Sequence, residues 1–270
     1  MSKYKQILKL VVTKLQQKDL LMPRKMLNEE QWFKLNIIMQ EFKIYDKKSL
    51  RLTVEAILFR MRTGCPWRDL PKEFGDWNRI FKRFNDWSEK SKLMLIFKRL
   101  AKDPDYEWKM IDGSIVKSHQ HSCGAKKGSD ISIGKSVAGN TSKIHMVTDS
   151  HGNPVDFEIT GGNVHDIQMA SELIERTPKS TYTIADKGYD GEYIRWIIRE
   201  CDSTPMIPRK NNSKIGNDDI DKFIYKQRHH VENLFARLKH NRAIATRYDK
   251  LKRNYVGMVS LACAYVWLKL

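Results

Sequence analysis

Apolar residues recur at helical spacing up to about residue 100 and then give way to short runs separated by turns. A helical period cannot settle into a strand, nor the reverse, so the change of period limits the fold more than any single motif. "LNEEQWFKLNIIMQEF" (27–42) and "LRLTVEAILFRMRTG" (50–64) read as amphipathic helices. "PWRDLPKEFG" (66–75) runs from a proline to a glycine, and "DWNRIFKRFNDWSEKS" (76–91) follows it. There Asp76 is a candidate N-cap, and Trp77, Ile80, Phe84 and Trp87 make one stripe, with Arg79, Lys82 and Arg83 pointing away. A helix, a short segment, a glycine turn and a basic helix make a helix-turn-helix-like pattern over about 50–90. "LAKDPDYE" (100–107) is polar and carries a proline, as a domain boundary should. Beyond it come a short strand in "WKMID", a Gly/Ser/Lys-rich loop at 122–142 and a hairpin around "DSHGNP". "DIQMASELIERT" is then a helix, "TYTIADKGYDG" a strand running into a turn, "EYIRWIIREC" a helix, and "TPMIPRK" a short strand. A last helix at 225–239 and an apolar tail close a mixed α/β segment.

Two of these strands finish on an aspartate followed by a turn, Asp112 in "WKMIDGS" and Asp186 in "YTIADKG". The carboxyl edge of a sheet is where α/β proteins build their sites. A third acid, Glu232, sits in "YKQRHHVENLFARLK", where Val231, Leu234, Phe235 and Leu238 form the core face. Tyr225, Arg228, Glu232 and Lys239 fall three, four and seven residues apart and line its border. Two readings fit Glu232: a salt-bridged surface residue, or a ligand held by its cationic neighbours. Three carboxylates can hold two hard divalent cations beside phosphate oxygens. With 32 acidic residues in the chain, turn residues and helix caps at strand ends offer a plainer account.

The partner class follows from charge. A net charge of +17 over 270 residues points to a polyanion, nucleic acid before a membrane surface. Cys65, Cys123, Cys201 and Cys263 show neither CxxC spacing nor a zinc-site cluster, and read as reduced thiols in a cytoplasmic protein. The N-terminal "MSKYKQILKLVVTKLQQKDLL" reads as an amphipathic helix rather than a signal peptide. The C-terminal "YVGMVSLACAYVWLKL" is too short to span a bilayer and reads as a buried helix or strand.

The same residues carry a family resemblance. "YKQRHHVENLFARLK" resembles the Tyr-Arg-Glu-Lys signature of DDE transposases from bacterial insertion sequences, with matching spacing at all four positions. "IDGSIVKSHQH" and "ADKGYDG" resemble the blocks around that family's two aspartates, and "TSKIHMVTDSHGNPVDFEITGGNVHD" the segment between them. "FRMRTGCPWRDLPKEFGDWNRIFKRFNDWSEKS" is similar to the N-terminal region of the insertion-sequence-five group. The resemblance implies a helical DNA-binding domain at 1–100 followed by a ribonuclease-H-like catalytic core at 105–270. It implies that Asp112, Asp186 and Glu232 are the catalytic, metal-binding triad for two Mg²⁺ or Mn²⁺ ions. It further implies that Tyr225 and Arg228 contact DNA near the cleaved end and that Lys239 approaches a phosphate. Two departures stand out: the first twenty residues match nothing in the family, and the loop at 128–141 is poorer in arginine than in relatives.

Outside the triad, each residue has a competing account. His165 and Asp166 either support the site or touch DNA, or else cap the next helix, with Asp166 as N-cap. Tyr189 either stacks on a displaced base or packs. His119, His121, His229 and His230 are poor Mg²⁺ ligands and suit a surface or phosphate-contacting role. Trp67, Trp77 and Trp87 read as helical core, and Arg79, Lys82 and Arg83 as a DNA-gripping face. The expectation is a transposase that binds the terminal inverted repeats of its own element and catalyses cleavage and strand transfer. Its partners would be double-stranded DNA, at element ends and target, and a second copy in a homodimer or larger assembly on DNA; neither a membrane nor a small-molecule substrate is expected. It would work in the cytoplasm, at the nucleoid. The alternatives are a metal-dependent nuclease of the same fold and a non-catalytic DNA-binding regulator.

Overall fold

The computed structural model describes residues 24–124, 130–211 and 213–270. The expected helix at the N-terminus and part of the 122–142 loop lie outside them. Among the described residues four helices come first: α1 (Glu29–Glu41), α2 (Leu50–Thr63), α3 (Trp77–Glu89) and α4 (Lys92–Leu100). Asn28 and Gln31 form a reciprocal capping box at the start of α1, and Gly64, at φ +69°, closes α2. Asp76 caps α3 as expected, accepting from the Asn78 N–H. Between α2 and α3 the chain makes two single 3₁₀ turns, Trp67–Asp69 and Lys72–Phe74, each entered from a proline. This connection is longer than the three or four residues of a tight helix-turn-helix turn.

The sheet begins with β1 (Trp108–Ser118), followed by β2 (Gly134–Ser136), β3 (Gly139–Thr148) and β4 (Pro154–Gly161). The β3–β4 pair is the hairpin around "DSHGNP", and β2 makes a strand of what reads in sequence as loop. Then come α5 (Asp166–Glu175), β5 (Tyr182–Ala185), α6 (Glu192–Glu200) and β6 (Thr204–Met206). The chain continues through α7 (Lys222–Lys226), α8 (His229–Lys239), α9 (Arg242–Ala245), β7 (Thr246–Arg247) and α10 (Lys252–Trp267). β3 runs antiparallel to both β1 and β4, while β5 pairs parallel with β1 and β6 parallel with β5. The result is a mixed α/β fold, with β7 adding a short parallel pairing to the far end of β1.

Alternation along β1 separates two cores. Met110 and Val116 join the larger cluster, which contains Val231, Leu234 and Leu238 of α8 together with the apolar faces of α1 to α4. Ile111 joins a smaller cluster with Ala170, Leu173, Ile194 and Ile198 from α5 and α6. The apolar C-terminal run is the helix α10, buried along most of its length against α3, α4 and β4. Its Trp267 indole donates to the Pro154 carbonyl at 2.7 Å, and its Tyr265 hydroxyl to the Met26 carbonyl at 3.1 Å. The first and last described helices therefore share one core. Trp87 is buried in it and Trp67 and Trp77 are half-buried against it, as expected. All four cysteines are free thiols. Among the described residues, no helix is long and apolar enough to cross a membrane.

Candidate active site

The parallel pairing of β1 with β5 ends at Ile111 opposite Ala185. The next residue on each strand is an aspartate, so Asp112 and Asp186 leave the pair side by side. β5 stops there as expected, but β1 does not: it runs to Ser118 because its antiparallel pairing with β3 continues to Lys117. Asp112 is thus a mid-strand residue at the point where one neighbour strand ends. Asp186 is the N-cap of the 3₁₀ turn Lys187–Tyr189, its Oδ1 accepting from the Gly188 N–H at 2.8 Å. Buried Arg195 fastens that turn, donating to Asp190 Oδ1 at 2.9 Å and to the Ile207 carbonyl at 2.6 Å.

The helix expected over 225–239 is two helices. Gln227 and Arg228 keep right-handed helical angles, but the bonds tighten to the three-residue type: Arg228 N–H to the Tyr225 carbonyl, Val231 N–H to the Arg228 carbonyl. The core face holds, with Val231, Leu234, Phe235 and Leu238 buried. The polar border points at β1. The Arg228 guanidinium bonds Asp112 Oδ2 at 3.3 Å and also pairs with Glu232, so one cation joins two of the three acids. Tyr225 is half-buried on α7. Lys239 lies further along β1 and donates to Ser114 Oγ at 2.7 Å and to the Ile115 carbonyl at 3.1 Å, with burial lowering its pKa.

Burial pushes the Asp112 carboxyl up to about 6. The Gly113 N–H and Arg228 oppose the shift, while Asp186 and Asp166 add to it. Asp112 is therefore a carboxylate short of positive charge, in a group whose donors are all oxygens. Glu232 is turned onto Arg228 and its side chain is 51 % exposed. Among the described residues, no three His, Cys, Asp or Glu side chains converge tightly enough to chelate one ion.

The other sequence candidates separate. Arg79 is exposed on α3, with only Asp76 nearby at 3.8 Å, and Lys82 is exposed. Arg83 is not on the free face: it donates to Thr53 Oγ1 at 2.8 Å and Ser49 Oγ at 3.2 Å, joining α3 to α2. Tyr189 is 1 % exposed, so its ring packs in the smaller core and offers no face to a base. His165, not Asp166, is the N-cap residue of α5, and it is exposed. His119 stacks on Tyr248 at 4.6 Å, and the His229 and His230 rings lie 4.1 Å apart, tilted by 34°. Asp166, read in the sequence either as a support of the site or a DNA contact or as the cap of the next helix, is not that cap. Its side chain pairs with Lys143 at 3.1 Å and His145 at 3.4 Å, and lies directly against Gly113.

Comparison with known proteins identifies the family. Residues 104–267 match the model of the transposase DDE domain, and residues 27–97 match that of an IS4/5-family transposase. A transposase for insertion sequence element IS6501 from Brucella ovis is 35% identical over 130 residues, 48% of this chain and 99% of the relative. One for element IS402 from Burkholderia cepacia is 28% identical over 139 residues, 46% of this chain and 62% of the relative. Among solved structures, a piggyBac transposase synaptic complex with hairpin DNA aligns at a TM-score of 0.46 and 11% identity, over 90% of this chain and 66% of that one. With every described strand and its C-terminal helices inside the matched domain, the chain belongs to the DDE-domain transposases of insertion sequences.

Proposed function

We propose that this transposase binds the terminal inverted repeats of its element and catalyses both cleavage and strand transfer, with Asp112, Asp186 and Glu232 as the acids that hold two divalent cations. The observation that carries the reading is the placement of Asp112 and Asp186 side by side where β1 and β5 part, with Arg228 tying Glu232 to the same point. An antiparallel β4–β3–β1 unit continued by parallel β5 and β6 supports a ribonuclease-H-like core.

The donor set fits hard ions such as Mg²⁺ or Mn²⁺, being carboxylate oxygen throughout, and a guanidinium already occupies the space between two of the acids. Bound there, such ions would supply Lewis acidity for the attacking oxygen and stabilise the leaving oxygen. The chain's own residues do the rest. Arg228 would exchange its carboxylate partners for a DNA phosphate, as a fork-shaped donor suits. Tyr225 would bind beside it, and Lys239 would meet the backbone further along β1. Arg79 and Lys82 offer exposed cations to duplex DNA on the helical layer, and His165 stands exposed at the start of α5. Cutting and joining two ends calls for a dimer or larger assembly on DNA, acting in the cytoplasm at the nucleoid.

The test uses purified protein, Mg²⁺ and a labelled duplex carrying the element's end and flank, resolved on a denaturing gel with Asp186→Asn as control. Metal-dependent cutting at the boundary with joined products supports the reading. Cutting without joining would indicate a nuclease; equal DNA binding without chemistry in both proteins would indicate a DNA-binding regulator.

A further inference from the structure

On the sheet face away from α8, beneath Gly113, lies a set of polar groups that the proposed chemistry leaves unused. A Cβ at position 113 would stand 2.0 Å from Asp166 Oδ1, so the Asp166 carboxylate fills the space that glycine leaves. Its Oδ2 accepts from Lys143 Nζ at 3.1 Å, and the same ammonium donates to the Val164 carbonyl at 3.0 Å. His145, the cross-strand partner of Gly113, is fully buried, with Nε2 2.8 Å from Thr160 Oγ1. Asp166 Oδ1 faces His145 Nδ1 at 3.4 Å, whereas among the described residues the Tyr189 hydroxyl is buried without a hydrogen-bond partner. A buried hydroxyl without a partner is uncommon; it is a donor, and the Asp166 carboxylate is an acceptor. The two residues sit on adjoining elements. The first turn of α5 packs on the 3₁₀ turn that carries Tyr189, and Ile167 abuts Gly191. The Tyr189 ring shares a cluster with Ile111 and Ala185, which immediately precede Asp112 and Asp186. Burial first, then the charges of Asp166, Asp112 and Asp186, keep this phenol protonated and hence a donor.

We propose that Asp166 and Tyr189 are positioning residues for Asp112: the Tyr189 hydroxyl closes onto Asp166 when a divalent cation replaces Arg228, and the buried wedge holds the β1 backbone beneath the ion. The path to the carboxylate is short, because Asp112 Oδ1 accepts from the Gly113 N–H at 2.8 Å. Groups that support a ligand from behind without touching the ion typically change its affinity about 10–100-fold when removed. The inference rests on Asp112 and Asp186 being ion-binding acids.

The experiment titrates Mn²⁺ into the full chain by electron paramagnetic resonance, comparing wild type, Tyr189→Phe, Asp166→Asn and Asp186→Asn, with thermal melts of each metal-free protein. Tyr189→Phe keeps the ring and removes only the hydroxyl. It should melt no lower than wild type yet bind Mn²⁺ about tenfold more weakly. Asp166→Asn should show the same loss of affinity. Mn²⁺ affinity at the wild-type level in Tyr189→Phe, whatever its melting temperature, with weakened binding in Asp186→Asn, would overturn the positioning role and leave the ion site standing. A wild type that binds no better than Asp186→Asn would overturn the ion site and this inference with it.

Discussion

Replacing Gly113 with alanine should reverse the sign that such a change ordinarily has. Within a strand, alanine is favoured over glycine by roughly 0.5–1 kcal/mol, because glycine loses more freedom on folding. At position 113 the new Cβ would lie 2.0 Å from Asp166 Oδ1, 2.9 Å from its Cγ and 3.4 Å from Lys143 Cδ. Carbon needs roughly 3.5 Å, so the carboxylate must retreat by more than about 1 Å. Retreat is obstructed: Oδ2 is held by Lys143, Lys143 by the Val164 carbonyl, and the far side by buried His145. Overpacking of this kind costs about 1–3 kcal/mol. Prising Asp166 from Lys143, whose side chain is 10 % exposed, adds a share of the ~3–5 kcal/mol that a broken buried pair costs. The net expectation is a destabilisation of about 3 kcal/mol, read from guanidinium unfolding followed by tryptophan fluorescence. Asp166→Ala removes the obstacle, so the double variant should be more stable than the sum of the single effects by about 1–2 kcal/mol. A Gly113→Ala protein within about 0.5 kcal/mol of wild type, or an additive double variant, would refute the close packing of Asp166 on β1.

Burial of Lys109 sets a pH dependence. Its folded pKa is lowered to about 8 against 10.5, so the folded state binds fewer protons between those values and stability rises with pH across that window. Relative to Lys109→Met, the wild type should gain up to about 3 kcal/mol between pH 8 and 10.5 in denaturant titrations, and a flat difference would contradict it. Arg79→Ala with Lys82→Ala should weaken binding to the element's end and lower the slope of log K against log salt by about 2. Arg83→Ala should instead cost about 1 kcal/mol of stability through its lost bonds to Ser49 and Thr53, leaving that slope unchanged. Glu232 has Arg228 as its one ion-pair partner among the described residues, so Glu232→Gln should stay folded and bind DNA while losing cleavage; cleavage at the wild-type rate on the same gel would remove Glu232 from the site.

What could be read from the sequence was what depends on period and on local chemistry: the change from helix to strand near residue 100, the hairpin at 143–160, the Asp76 cap, the core face of α8, and two aspartates at the edge of a strand pair. What could not be read depends on a neighbour distant in sequence. β1 continues through Gly113 and Ser114, which look like a turn, because β3 supplies hydrogen bonds as far as Lys117. Arg83 leaves its helix's free face because α2 presents two hydroxyls to it. Tyr189 sits in a glycine-flanked turn that looks exposed and is covered by α5. The four residues "IDGS" hold both cases at once. Alternation sends Ile111 and Gly113 to the α5 face and Asp112 and Ser114 to the α8 face, so the same two-residue period that presents the acid also opens a gap behind it. An aspartate at a strand edge announces itself by its charge. A glycine announces only that a side chain is missing, and what fills the gap belongs to residue 166, which no local pattern connects to residue 113.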